Sequence, residues 1–187
     1  MNYFANKNNR AACAVNHTRQ MEKSYGDDIK NSIANTYEYS PLNLYVPEIF
    51  RSKETAVALV KEDTVSAVMN YSEGKTAVLN FASFKNPGGM FLAGSSAQEE
   101  SICMESYLYN VLVRFKDTWY KENESRLHNG LYENRALYSP HIMFERDKKV
   151  YADVITCACP NKSLIRYGRF SEEDNSQALM SRIDFIL

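Results

Sequence analysis

Residues 76–100 read TAVLNFASFKNPGGMFLAGSSAQEE. The opening Thr76-Ala77-Val78-Leu79-Asn80-Phe81-Ala82 is a near-continuous apolar run of strand length, the pattern of a strand covered on both faces. Asn86-Pro87-Gly88-Gly89 follows it. Pro87 fixes the backbone before the turn, and the two glycines permit conformations and close approaches that a side chain bars. Their N–H groups can then face phosphate or ribose oxygens. Gln98, Glu99 and Glu100 next present one amide and two carboxylates at the first turn of a helix. Three of the seven glycines in the chain (Gly88, Gly89 and Gly94) lie in this stretch, so it is where close backbone approach is concentrated.

Outward from there, Thr55-Ala56-Val57-Ala58-Leu59-Val60 is a short β-prone run, Asp63-Thr64 a helix cap, and Val65 to Tyr71 two helical turns stopped at Glu73-Gly74-Lys75. With the strand at 76–82 this makes a βαβ unit and sets the glycine loop at the carboxyl end of a parallel strand, where open α/β sheets bind ligands. A helix is expected from about 97 through 112, continuing or restarting to about 122. Leu137-Tyr138-Ser139-Pro140 and a strand from Val150 to Pro160 follow. Ser171-Glu172-Glu173-Asp174 then caps a helix that runs to the last residue, Leu187. At the other end, Ala11, Ala14, Val15, Thr18, Met21 and Tyr25 fall near helical spacing over 7–25. Gly26-Asp27-Asp28 is expected to end that helix. An irregular connection to Pro47 is expected to follow, its Tyr37, Tyr39 and Tyr45 packing rather than binding.

The 187 residues, 44% of them hydrophobic, suffice for one domain with a core. Twenty-two basic against 23 acidic residues give a net charge of −1, which argues against nucleic acid as a partner. No apolar run approaches the roughly 20 residues of a membrane span. Cys13, Cys103, Cys157 and Cys159 show no CxxC pairing and the N-terminus no apolar leader, so a cytoplasmic location is expected. Cys157 and Cys159 read as buried thiols on one strand face. His17, His128 and His141 lack metal-site spacing, so no metal is expected. Phe115, Trp119 and Tyr120 fit a packed helix face, while Lys121 to Glu124 and Arg146 to Lys149 fit solvated turns. Neither a Walker loop nor a serine nucleophile elbow is present.

A glycosidic bond breaks when a carboxylic acid protonates the leaving oxygen while positive charge develops on the sugar ring. Adjacent helical residues point about 100° apart, so Glu99 and Glu100 should divide labour rather than flank a bond as an ordinary glycosidase pair. Burial and mutual repulsion should raise the pKa of one of them. The plainer alternative is a turn followed by a helix whose early carboxylates complement its dipole.

The strand, the Asn-Pro-Gly-Gly loop, the spacer 91–97 and Gln98-Glu99-Glu100 followed by Ser101-Ile102-Cys103 resemble the signature of the microbial-type poly(ADP-ribose) glycohydrolase family. That signature is a triple glycine, a spacer and Gln-Glu-Glu. The N-terminal helix, Glu62-Asp63-Thr64, Tyr107-Leu108-Tyr109 and the stretch from Gly130-Leu131-Tyr132 to Tyr138-Ser139-Pro140 extend the resemblance along most of the chain.

It implies a macrodomain-like three-layer α/β/α fold with a mixed sheet, divided into an N-terminal helical extension over 1–54 and a partial glycohydrolase domain over 55–187 as one structural unit. It also implies cleavage of ribose–ribose O-glycosidic bonds in poly(ADP-ribose), or binding of ADP-ribose, with no metal or cofactor. By the same resemblance Glu100 is the general acid/base, Glu99 binds ribose hydroxyls and Gln98 shapes the site. Gly88 and Gly89 line diphosphate and ribose, and Asn80, Phe81, Ser83 and Asn86 support or contact the ligand. Two departures stand out. Met90 occupies the third glycine position, where its thioether would crowd the diphosphate or force a different loop. The chain also stops at Leu187, where family members continue into a strand, a second phosphate loop and a helix. A C-terminally truncated sheet is therefore expected, covered by a homodimer or protein partner. The competing expectation is a macrodomain that binds ADP-ribose or a partner without turnover.

Overall fold

The computed structural model describes residues 6–43 and 55–187. Helix α1 spans Lys7–Ala34, opened by Asn6, whose side chain accepts the Asn8 N–H at 3.0 Å. It does not end at Gly26. Tyr25 leaves helical geometry (φ −131°), so that the helix kinks and continues, because Ile29 and Ser32 beyond the kink are buried in the core. The connection is not wholly irregular either: Tyr37–Tyr39 form strand β1, with Tyr37 exposed rather than packed. Tyr45 lies outside the described residues.

Residues 55–60 form no strand, and Val57 and Leu59 are almost fully exposed. Their β propensity finds no strand to pair with among the described residues, so the expected βαβ unit is not built from them. Helix α2 (Thr64–Tyr71) does start under an Asp63 cap that accepts the Ser66 N–H at 2.9 Å. Strand β2 (Ala77–Phe81) instead finds a parallel partner much later in the chain, β4 (Lys149–Cys157), from Ala77 opposite Asp153 to Phe81 opposite Cys157. β4 pairs antiparallel with β3 (Ala136–Glu145), and β3 with β1, giving the mixed order β1-β3-β4-β2. β2 is covered on one face only: Val78 and Asn80 are buried while Ala77 and Phe81 are exposed. The pairing of β3 shifts register between Ser139 and Ile142, where Pro140 cannot donate and His141 takes φ +59°.

The long helix expected from 97 is broken. α3 (Gln98–Met104) stops and α4 (Leu108–Leu112) restarts around Ser106, whose hydroxyl donates to the Ile102 carbonyl at 2.7 Å and accepts the Leu108 N–H at 3.1 Å. A serine side chain thus replaces helical backbone partners at the break. A wide turn at Lys116–Tyr120 and the short α5 (Lys121–Asn123) follow, with Trp119 and Tyr120 packed in the core as their spacing indicated.

Two stretches read as solvated turns carry structural residues. Asn123 is fully buried and donates to the Phe84 carbonyl at 2.8 Å, while Glu122 pairs with the buried Arg135 at 3.0 Å. Arg146 joins the β3–β4 turn to Glu105 and to the Asp63 cap. Helix α6 (Glu172–Ile186) opens on the Ser171–Asp174 capping box read from the sequence. It is anchored by Arg182, 1% exposed, whose guanidinium donates to Asn134 Oδ1 at 2.7 Å and to the carbonyls of Tyr132 and Ala158. Cys157 is buried at the end of β4, but Cys159 lies past the strand and is exposed, so the two thiols do not share a buried face.

Candidate active site

β2 delivers the chain to the loop, and α3 returns beneath it. Gly94 takes φ +77° in a place where a Cβ would lie 2.1 Å from the Lys7 carbonyl oxygen, so the start of α1 packs directly on the loop. The Arg10 guanidinium donates to the Gly94 carbonyl at 2.7 Å, fixing that contact. The first helix is therefore part of the support for the site.

The three residues that open α3 divide as their sequence order suggests. Gln98 lies along the outer edge of β2: its Oε1 accepts the Phe81 N–H at 2.9 Å and its Nε2 donates to the Leu79 carbonyl at 2.8 Å. One side-chain amide thereby takes the place of a neighbouring strand's peptide, tying α3 to β2. Glu99 is 4% exposed. Its Oε2 accepts the Ser83 N–H at 2.7 Å, and Asn80 Nδ2 lies 3.4 Å from its Oε1. Glu100 is 7% exposed; its Oε1 accepts the Met90 N–H at 2.9 Å and its Oε2 the Ala97 N–H at 3.0 Å.

Although the two side chains leave the helix in different directions, both carboxylates reach the same turn. A Cβ added at Gly89 (φ +60°) would stand 2.6 Å from Glu100 Oε1 and 2.9 Å from Glu99 Oε2. Glycine is required there by conformation and by space together. A Cβ at Gly88 (φ +66°) would meet the Tyr109 ring at 2.7 Å. Met90 behaves otherwise. Its φ of −107° is open to any L-residue and its side chain is half exposed, so the methionine brings no backbone strain to the turn.

Burial pushes the Glu99 carboxyl up to about 7; the Ser83 N–H and Asn80 oppose the shift, and the neighbouring Glu100 charge adds to it. Cys103, fully buried under the pair, has its thiol pushed well up by burial and then by the two carboxylates, which makes it a packing group rather than a nucleophile.

The remaining sequence-identified residues shape the turn. Ser83 Oγ accepts the Asn86 N–H at 3.2 Å, and the Asn86 carbonyl accepts the Gly89 N–H at 2.9 Å. Asn80 is fully buried, within 3.3 Å of Thr156 Oγ1 on β4, and its Oδ1 is unpartnered. Phe81 stands exposed beside the loop, bonded through its backbone to Gln98.

Sequence reasoning missed Tyr109 under Gly88, Thr156 beside Asn80, and Asn123, which holds the loop through Phe84. The burial alternation of β4, which includes Val154 and Thr156, was the available signal for Thr156. His17, read as lacking metal-site spacing, lies 2.8 Å from the Ser106 carbonyl through Nε2. A cavity of about 510 Å³ between α1 and Arg146 includes none of the sequence-identified site residues.

Two buried carboxylates converge on a glycine turn at the carboxyl end of a parallel strand pair, an arrangement suited to acid–base chemistry. The model for the catalytic domain of microbial-type poly(ADP-ribose) glycohydrolase matches residues 8–147, and the chain belongs to that family. No curated protein gives a significant match by sequence.

Among solved structures, the chain is similar to poly(ADP-ribose) glycohydrolase from Thermomonospora curvata (TM-score 0.81, 23% identity, 96% of this chain and 74% of that one). The same enzyme bound to the inhibitor ADP-HPD gives TM-score 0.81 and 24% identity, covering 96% and 73%. The glycohydrolase from Deinococcus radiodurans in complex with ADP-ribose gives TM-score 0.69 and 27% identity, covering 84% and 68%.

Proposed function

We propose that this chain hydrolyses the ribose–ribose O-glycosidic bond of poly(ADP-ribose), with Glu100 donating the proton to the leaving oxygen and Glu99 holding ribose hydroxyls. The observation that carries this reading is the convergence of both carboxylates on the Gly89 turn. With its pKa pushed up to about 7, the Glu99 carboxyl carries a proton in roughly half of the molecules near neutrality. Ribose hydroxyls donating to Glu99 favour its ionised form, and the proton then passes to Glu100. Protonation of the leaving oxygen by Glu100 lets an oxocarbenium-like sugar form, and Glu100, now a base, activates the water that captures it. The turn at Gly88 and Gly89, packed directly on Tyr109 and the two carboxylates, lines the diphosphate and ribose, although its glycine N–H groups are taken by Glu99 and by the Asn86 carbonyl rather than left to face phosphate; Ser83 and Asn86 hold the turn, and Phe81 offers an exposed ring beside it.

Hydrolysis in ¹⁸O-labelled water tests the reading. The expected product is ADP-ribose labelled at the anomeric carbon, and label on phosphate instead would contradict it. Binding without turnover is not favoured, because the catalytic pair is complete and Met90 adopts an ordinary backbone conformation.

The four free cysteines support a reducing, cytoplasmic location, which fractionation of the native protein would test by its recovery there or in membranes. The exposed Phe81 and Tyr71 support a second copy or protein partner. Such a partner would cover side chains, since Gln98 already occupies backbone groups on the β2 edge. Light scattering over a range of concentrations should show association; a constant monomeric mass would contradict the second-copy reading.

A further inference from the structure

Beside the catalytic loop lies a second cavity, of about 300 Å³, whose lining includes Asn86 and Pro87 from the loop and Lys116, Tyr120 and Lys121 from the wide turn and α5. Lys85 brings a third ammonium group to it. Among the described residues none of these three lysines has a carboxylate within ion-pair distance, although Asp117 and Glu124 also line the cavity. The chain as a whole carries a net charge of −1, so three unpaired cations around one cavity form a local feature rather than a general basic surface. Tyr120, 1% exposed, walls the cavity on its core side.

We propose that this cavity is a subsite for the diphosphate of the ADP-ribose unit adjoining the one released. The inference rests on the glycohydrolase reading and extends it. The released unit occupies the Gly88–Gly89 turn, and the cavity shares Asn86 and Pro87 with that turn, so the polymer's next phosphates pass the lysines as the strand leaves the site. Flexible ammonium groups suit this task, since they can follow a mobile polyanion without imposing one geometry.

The test compares the triple variant Lys85→Gln/Lys116→Gln/Lys121→Gln with a charge-matched control, Lys30→Gln/Lys75→Gln/Lys148→Gln. In the control, Lys75 precedes β2 and Lys148 precedes β4, at the opposite end of the parallel pair from the loop. Binding of long-chain poly(ADP-ribose) is read by filter retention in a Glu100→Gln background, so that it does not depend on turnover. The subsite variant should bind the polymer roughly ten-fold more weakly at low salt and show a shallower salt dependence. The control should bind as the parent does, and affinity for monomeric ADP-ribose should be the same in all three. Equal weakening in the control, or unchanged polymer binding in the subsite variant, would overturn the subsite. Failure of the glycohydrolase reading would show separately, as wild-type protein that binds polymer and releases no ADP-ribose.

Discussion

Replacing Glu100 by glutamine should lower kcat for ADP-ribose release by roughly 10²- to 10⁴-fold, the range expected when a general acid is removed. Glutamine keeps the length and nearly the shape of the side chain, and its carbonyl can still accept the Met90 N–H that Glu100 Oε1 accepts at 2.9 Å. The transferable proton, the charge and the acceptor for the Ala97 N–H, which Oε2 supplies at 3.0 Å, are lost. Affinity for ADP-ribose, measured by calorimetry, should therefore stay within a few-fold of wild type. Loss of rate and of affinity together would mean that the loop had collapsed; unchanged rate would move the acid elsewhere.

The second large effect is on stability, and it has the opposite sign. Glu99 carries a carboxyl raised from 4.5 to about 7 by burial. A folded-state pKa above the unfolded one favours the folded state fully below pH 4.5, and that advantage is lost as pH rises through about 7. Above pH 7 the fold must keep an ionised carboxylate in a 4% exposed position, a cost of up to about 3 kcal/mol for a shift of this size. Glutamine at 99 avoids that cost. Its carbonyl can accept the Ser83 N–H, and its amide can donate to the otherwise unpartnered Asn80 Oδ1. Glu99→Gln should raise Tm by roughly 5–10 °C at pH 8 and by much less at pH 4.5, while abolishing turnover. An equal change in Tm at both pH values would show that Glu99 is not the group that titrates. The pair is thus a place where function is held at the expense of stability.

The parts of this site that could be read from sequence are those set by local spacing. The glycine turn, the three polar residues that open α3 and the cap of α6 all depend on residues a few positions apart. What escaped depended on partners distant in the chain. Thr55 to Val60 has strand composition, but no strand among the described residues accepts it. Tyr37–Tyr39 looks like loop and is a strand because β3 pairs with it. Gly26 would end an isolated helix, yet α1 continues because Ile29 and Ser32 beyond it are buried. Ser106 breaks the later helix by a side-chain choice that periodicity does not encode. Arg146 and Asn123 read as surface residues until Glu105 and Phe84 are brought beside them by the fold. At the site, the sequence indicated that one carboxyl of the pair should be raised; burial selects Glu99, against the opposing hydrogen bonds from Ser83 and Asn80.

The pH dependence of ADP-ribose release from poly(ADP-ribose) between pH 5 and 9 tests the supply of the proton from Glu99 most directly. If the proton carried by Glu99 in the free protein is the one passed to Glu100, kcat/KM is at its highest below about pH 7 and falls tenfold per pH unit above it, as that proton is lost. A rate that stays level or rises from pH 7 to 9, or no release from folded protein at any pH, would contradict the account.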